Sequence, residues 1–186
     1  MINKGDIVVI YRKAYKGPFK YLVTRCILFF TTAWWLHEPT SKVYHAEIAW
    51  DNLSDSEFRA FTMEPPKSRF KDRRYSRKII FRPKDLTVNY LDSVAQAYYD
   101  KNVGKKYDFF RILLMGLNWL FRTPWFTDHY KNKELDICSE FVARMYDRMN
   151  YPCSPNEPNS TTPDCIYDYC LAHPDRFEVV YDHRAQ

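Results

Sequence analysis

Cys138 begins an apolar helical segment and could act as a nucleophile. Asp136 is expected to cap this helix, which places Cys138 in its first turn. The amides of a helix N-terminus favour a thiolate and can hold an oxyanion, and nucleophilic catalysis uses both effects. Most free cysteines are small buried hydrophobic residues, so this position alone leaves both interpretations open. Residues at helical spacing predict one face directed at a core: Cys138, Phe141, Val142, Met145 and Met149.

His45 is the candidate general base. It stands within a strand-like run, Val43 to Trp50, where an imidazole between apolar residues needs a hydrogen-bonding partner. Glu64, at the end of the next predicted strand, could face His45 across a hairpin and orient the ring. Glu47, two residues along on the same strand face, is the alternative orienting residue. A thiolate beside an imidazole that a third polar group holds is the arrangement that nucleophilic catalysis requires.

The composition limits the class of protein and its cofactors. The chain has 186 residues, 46% of them hydrophobic, which suits a single domain over residues 1–186 with a substantial core. Its four glycines form no dinucleotide-binding or P-loop motif. Its five cysteines form no CxxC pair, and no histidine pair has ligand spacing, so no metal and no cofactor are assigned. The opening residues lack a cationic-then-apolar leader, which favours a reducing, cytoplasmic location.

Two further features raise the question of an anionic or membrane partner. The basic stretch Lys67 to Lys78 holds seven lysines and arginines and a single acid. The apolar stretches Tyr21 to Leu36 and Phe109 to Phe126 are shorter than the roughly 20 uninterrupted apolar residues of a bilayer crossing. We expect core helices and a solvated hairpin loop here, with peripheral membrane contact as the alternative. Nucleic-acid binding is not expected, because such charge runs are commonly just solvated.

The elements that must position these residues follow from periodicity and turn signals. Strands are expected at Ile7–Tyr11, Val43–Trp50, Phe58–Glu64, Arg77–Arg82 and Phe177–Tyr181. Helices are expected at Phe19–Leu36, Leu86–Lys101, Tyr107–Phe121, Asp136–Asn150 and Pro163–Ala172. Asp51-Asn52 is expected to form the turn after the histidine strand, and Gly104 to cap the second helix. Early strands followed by helices predict an α+β fold, with an antiparallel sheet packed against helices.

Six short motifs occur in order over nearly the whole chain: Gly5-Asp6-Ile7, Tyr44-His45-Ala46-Glu47-Ile48, Phe61-Thr62-Met63-Glu64, Gly104-Lys105-Lys106-Tyr107-Asp108, Cys138-Ser139-Glu140-Phe141-Val142 and Thr162-Pro163-Asp164. Each motif is weak alone. Their order and combination resemble the circularly permuted NlpC-type enzymes, the YiiX-like branch of the papain-like fold.

The resemblance implies a papain-like, circularly permuted domain in which the nucleophilic cysteine follows the histidine along the chain. It matches Cys138 to the nucleophile, His45 to the base and Glu64 to the third polar residue. Members of the family cleave amide bonds in cell-wall peptides or move acyl groups on lipids, so the implied partner is a peptide or lipid-acyl substrate. Glu47 is a departure, because the residue two positions after the histidine is usually small in the family.

Three functions are therefore expected from the sequence. The first is a thiol hydrolase that cleaves an amide or peptide bond through an acyl-enzyme. The second is a lipid-directed acyltransferase or esterase at a membrane surface. The third is a non-catalytic binding protein that retains the fold. The sequence carries no signal for the scissile bond, the acyl acceptor or an oligomeric state.

Overall fold

A computed structural model describes residues 1–11, 43–121, 123, 125–130 and 135–185. These residues form six strands in one antiparallel sheet, together with helices, so the predicted α+β class is confirmed. The predicted helix Phe19–Leu36 lies outside the described residues. None of the helices in the described ranges has the length and hydropathy that a bilayer crossing requires.

The sheet has the strand order β4-β3-β2-β1-β5-β6, and each neighbouring pair is antiparallel. Its strands are β1 (Ile7–Tyr11), β2 (Val43–Asn52), β3 (Glu57–Glu64), β4 (Lys67–Arg74), β5 (Lys78–Pro83) and β6 (Phe177–Asp182). The helices are α1 (Val88–Asn102), α2 (Phe109–Phe121), α3 (Trp125–His129), α4 (Cys138–Asp147) and α5 (Pro163–Ala172).

The alternation predicted for β2 holds over most of the strand. Ala46, Ile48 and Trp50 belong to the core that also contains α4, whereas Ala49 lies in a second apolar cluster. Tyr44 was expected beside Ala46 but contacts the second cluster. The pairing of β1 with β2 shifts register at this point, and the shift changes the side on which Tyr44 lies.

Helix α4 is held tightly against the sheet. The core-facing residues predicted for it, Phe141, Val142, Met145 and Met149, all lie in the main core. Two buried phenols fix its position, because Tyr98 donates to the carbonyl of Phe141 and Tyr146 donates to the carbonyl of Gly5, each at 2.8 Å. These bonds satisfy polar groups in an otherwise apolar interface.

The predicted cap of α4 is wrong. The N-cap residue is Ile137, and the Glu140 carboxylate accepts a hydrogen bond from its amide at 3.1 Å. Asp136 is fully buried and instead lies 2.6 Å from Lys105 and 2.8 Å from Arg144. Two cations hold this carboxylate more strongly than a helix amide does, since charged partners make the stronger bonds. Cys138 is the first helical residue, so it lies in the first turn of the helix, as predicted.

Two expectations about the hairpins are also wrong. The basic stretch is not a loop, because Lys67–Arg74 pairs with β3 as the edge strand of the sheet. Its side chains alternate, with Ser68 buried and Phe70 packed against the core between exposed or half-buried cations. Asp51 and Asn52 continue β2, and the turn lies at residues 53–56, where Leu53 and Ser54 donate to the carbonyl of Glu57.

Gly5→Ala should destabilise the protein strongly. Gly5 has φ +94°, and an added Cβ would lie 2.5 Å from the Leu91 side chain, so backbone strain and overpacking act together. We expect a loss of about 3 kcal/mol in the free energy of unfolding measured with urea. Gly104→Ala is the matched control. Gly104 has φ +78°, but an added Cβ would meet no atom within 4 Å, so the loss in the free energy of unfolding should be about 1 kcal/mol. Equal losses would contradict the close packing of Gly5 on α1.

Candidate active site

His45 lies on β2 with its side chain almost fully buried and its Nε2 atom surrounded by polar groups. Thr62 Oγ1, on the neighbouring strand β3, is 2.7 Å from this nitrogen. Glu47 Oε2 is at 3.5 Å and Glu64 Oε1 at 3.8 Å. Because Nε2 has these partners, Nδ1 is the ring nitrogen left to face a reacting group.

Cys138 is the partner of this ring on the side of the helix. It is 3% exposed at the start of α4, and its thiol is close enough to His45 to act on the pKa of the ring. Burial by itself lowers the pKa of His45, but the charge and hydrogen bond of Cys138, with Glu47 and Glu64 behind the ring, raise that pKa to about 10. The imidazole therefore carries its proton at neutral pH.

Arg73, on β4, holds the two carboxylates together. Its Nη2 atom lies 2.6 Å from Glu47 Oε2 and 2.5 Å from Glu64 Oε1. Lys71 Nζ lies 2.6 Å from the second oxygen of Glu64. Burial raises the pKa of both carboxyl groups, but the neighbouring charges of Arg73 and His45 outweigh it and leave each pKa below its ordinary value of 4.5. Both groups are thus ionised around a guanidinium in a fixed position.

The structure brings Cys138, His45 and Glu64 into one site, and Glu47 with them. Glu47 is nearer to the imidazole than Glu64 is, and it is fully buried whereas Glu64 is partly exposed. Thr62, which sequence reasoning did not select, makes the shortest contact with the ring. A threonine inside a strand carries no catalytic signal, and only the pairing of β2 with β3 places it beside His45.

Tyr107 is a further neighbour of the thiol. It is 5% exposed, and burial, followed by the charges of Cys138 and other acidic groups, raises its pKa well above 10. The residue was expected to begin a helix but precedes it, held by a bridge to Asp136, two residues before Cys138. Its phenol stays neutral and can donate a hydrogen bond beside the thiol. The sequence signal was the Gly-x-x-Tyr-Asp segment itself.

A buried contact between Arg111 and Glu140 supports the start of α4. Arg111 and Glu140 are each 1% exposed, and Arg111 Nε lies 2.8 Å from Glu140 Oε1. Burial raises the pKa of Glu140 to about 8, even though Arg111 opposes the shift. Ser139 donates to the carbonyl of Thr161 at 2.6 Å on the same turn. These contacts fix the turn that carries Cys138.

His45, Glu47 and Glu64 also deserve comparison with a metal site, because one ligand atom from each lies within 4.8 Å of the others. Imidazole and carboxylate ligands suit zinc. Arg73, however, already contacts both carboxylates and supplies the positive charge that a metal would bring. A cation bound between them would have to displace the guanidinium, so the geometry favours an ion-pair cluster.

No family model, curated protein or solved structure matches the chain. Its function must therefore be inferred from the thiol, the imidazole and the groups around them. The His45 imidazole, which carries its proton, lies beside the Cys138 thiol, and Thr62 Oγ1 lies 2.7 Å from its Nε2 atom.

Arg73→Met should destabilise the protein because it leaves two buried carboxylates without their shared cation. We expect a loss of about 3 kcal/mol or more in urea unfolding at pH 7. Glu47 and Glu64 have a depressed pKa in the folded protein, so their contribution is present above about pH 4.5 and is lost as the pH falls. The difference in the free energy of unfolding between wild type and Arg73→Met should therefore become smaller as the pH falls below about 4.5.

Arg59→Met is the matched control, because Arg59 pairs with Asp72 at 2.9 Å at the surface of the same sheet. That pair is exposed, so its removal should change stability far less. If the two variants unfold at the same urea concentration, Arg73 does not hold the carboxylates as described.

Proposed function

We propose that the protein is a thiol hydrolase of the papain-like, circularly permuted kind, with Cys138 as nucleophile and His45 as acid and base. The observation that carries the proposal is that the Cys138 thiol lies close enough to the buried His45 imidazole to raise its pKa, while Thr62 Oγ1 lies 2.7 Å from the Nε2 atom of the same ring. A nucleophile, a base and a group that orients the base are the parts this chemistry needs. The order of histidine strand and cysteine helix along the chain agrees with the permuted arrangement.

In the proposed reaction, the Cys138 thiolate attacks the carbonyl carbon of the substrate. The carbonyl π electrons move to oxygen, and in this proposal first-turn amides of α4 and the Tyr107 phenol stabilise the oxyanion. The carbon–nitrogen or carbon–oxygen bond then breaks while His45 gives its proton to the leaving group, which yields a thioester. His45 next takes a proton from water as the water attacks that thioester, and the carbon–sulfur bond breaks to release the carboxylic acid and the Cys138 thiolate, which restores the starting thiolate and imidazolium.

The groups behind the imidazole serve orientation and charge. Thr62 fixes the ring, while Glu47 and Glu64 stabilise the imidazolium that the thiolate needs as its counter-ion. Arg73 donates to both carboxylates and holds them in place behind the ring. Glu47, the departure from the family pattern, thus finds a role behind the base.

A binding protein that uses the basic stretch on nucleic acid is the weaker candidate. Lys71 and Arg73 are engaged by the carboxylates of the site, and Lys78 donates to backbone carbonyls of residues 74 and 76. The stretch therefore presents fewer cations than its sequence suggests.

Amide and ester substrates both suit the proposed chemistry, since each passes through the same thioester.

Brief treatment with iodoacetamide at neutral pH should alkylate Cys138 in preference to the other described cysteines. Burial raises the pKa of Cys153 to about 12 and that of Cys170 well above its usual value of 9, so neither offers a thiolate. Cys138→Ala should abolish the rapid adduct seen by mass spectrometry. Cys165→Ala, at a partly exposed cysteine, should retain it.

The catalytic step is tested with an activated acyl ester. Wild type should release a burst of alcohol and gain the acyl mass on the peptide that contains Cys138, and Cys138→Ala should do neither. Alkylation of Cys138 without any acyl adduct from esters or amides would show a reactive thiol but would contradict the proposed hydrolase function. Equal alkylation of all cysteines would remove the basis for the site.

A further inference from the structure

Helix α2 exposes apolar side chains where a water-facing helix would carry polar ones. Phe109, Phe110, Leu113 and Phe121 are each more than half exposed, at 53%, 52%, 57% and 61%. Phe110, Leu113 and Phe121 follow the i, i+3 and i+11 spacing of one stripe. The expectation of a core helix is therefore wrong for this side of α2.

The opposite side of α2 explains its attachment. Arg111 and Leu114 are buried, and Ile112 packs against the main core. The single charged residue of the helix, Arg111, is turned inward to Glu140. A helix that is apolar on both its buried and its exposed side lies in a protein core or contacts a second apolar phase.

The exposed stripe continues into α3. Trp125 is 55% exposed, and its ring lies 5.2 Å from that of Phe126, which in turn lies 5.7 Å from Phe121. Tryptophan and phenylalanine at a surface are typical of side chains that enter the boundary between lipid headgroups and acyl chains. We call Phe109, Phe110, Leu113, Phe121 and Trp125 the aromatic ridge.

Exposed cations lie at the end of the ridge where α2 begins. Lys106 is three residues before Phe109, and a backbone bridge pairs it with Lys67 of the edge strand, so the two lysines are neighbours. Arg69, exposed on the same strand, adds a third positive charge. Apolar side chains beside cations match a bilayer surface that carries anionic headgroups.

We propose that the aromatic ridge is an interfacial docking surface for an anionic lipid membrane. At 13 residues α2 is too short to cross a bilayer, and it would lie in the plane of the headgroups with Lys67 and Lys106 at the lipid phosphates. Cys138 is buried and is not part of the ridge, so Cys138→Ala should bind membranes as wild type does.

The test is flotation of the full chain with vesicles of phosphatidylcholine alone and with about 30% phosphatidylserine added. Wild type should float with the anionic vesicles and lose binding in high salt. The double variant Phe110→Gln, Leu113→Gln should reduce the floated fraction by about fivefold or more. The matched control Val88→Gln, Leu171→Gln, at residues 53% and 41% exposed elsewhere, should float as wild type does. Circular dichroism checks that each variant is folded.

Three results would overturn the proposal. The first is wild-type protein that stays at the bottom of the gradient with anionic vesicles. The second is equal flotation of wild type and the Phe110→Gln, Leu113→Gln variant, because the membrane contact would then lie elsewhere in the chain. The third is a dimer of wild type that the same variant turns into a monomer, with no flotation, because a second copy would then be the partner of the ridge.

Discussion

The site depends on the buried contact between the thiol of Cys138 and the imidazole of His45, which is close enough to raise the pKa of the ring. Two separate parts of the chain must meet to form it: the first turn of α4 and the middle of the sheet. The phenols of Tyr98 and Tyr146 fix the helix, and the pairing of β2 with β3 brings Thr62 to the ring. Much of the core can thus be understood as the support that keeps two reactive groups in register, with less freedom than either would have at a surface.

Charge balance is the second constraint on the site. A buried imidazolium is costly unless negative charge lies beside it, and two buried carboxylates are costly unless a cation separates them. Here the thiol, Glu47 and Glu64 surround His45, and Arg73 neutralises the carboxylates from the edge strand. Part of the basic stretch thus neutralises the carboxylates of the site, a structural role that its composition did not predict. Lys67 and Arg69 face solvent, whereas Lys71 and Arg73 contact the carboxylates of the site.

Periodicity predicted the main elements well, because the core-facing residues of α4 and most of β2 follow simple spacing. It failed where tertiary contacts override local signals. The sequence predicts Asp136 as a helix cap, but its carboxylate forms ion pairs with Lys105 and Arg144 instead. Strand β4 was missed because a run of cations is typical of a solvated loop. The carboxylates that its cations contact, Glu47 and Glu64, lie on other strands and cannot be paired with it from the sequence. Thr62 and Arg73 could not be chosen from sequence, because strand register alone brings Thr62 to His45 and Arg73 to Glu47.

The titration of the His45 ring, followed by NMR in wild type and in Cys138→Ala, tests this account most directly. In wild type the ring should keep its proton far above the usual pKa of 6.5, toward the value of about 10 that its surroundings favour. In Cys138→Ala the pKa should fall clearly, because the thiol contributes both charge and a hydrogen bond that hold the proton. A His45 pKa that is the same in both proteins would show that the thiol and the imidazole do not meet.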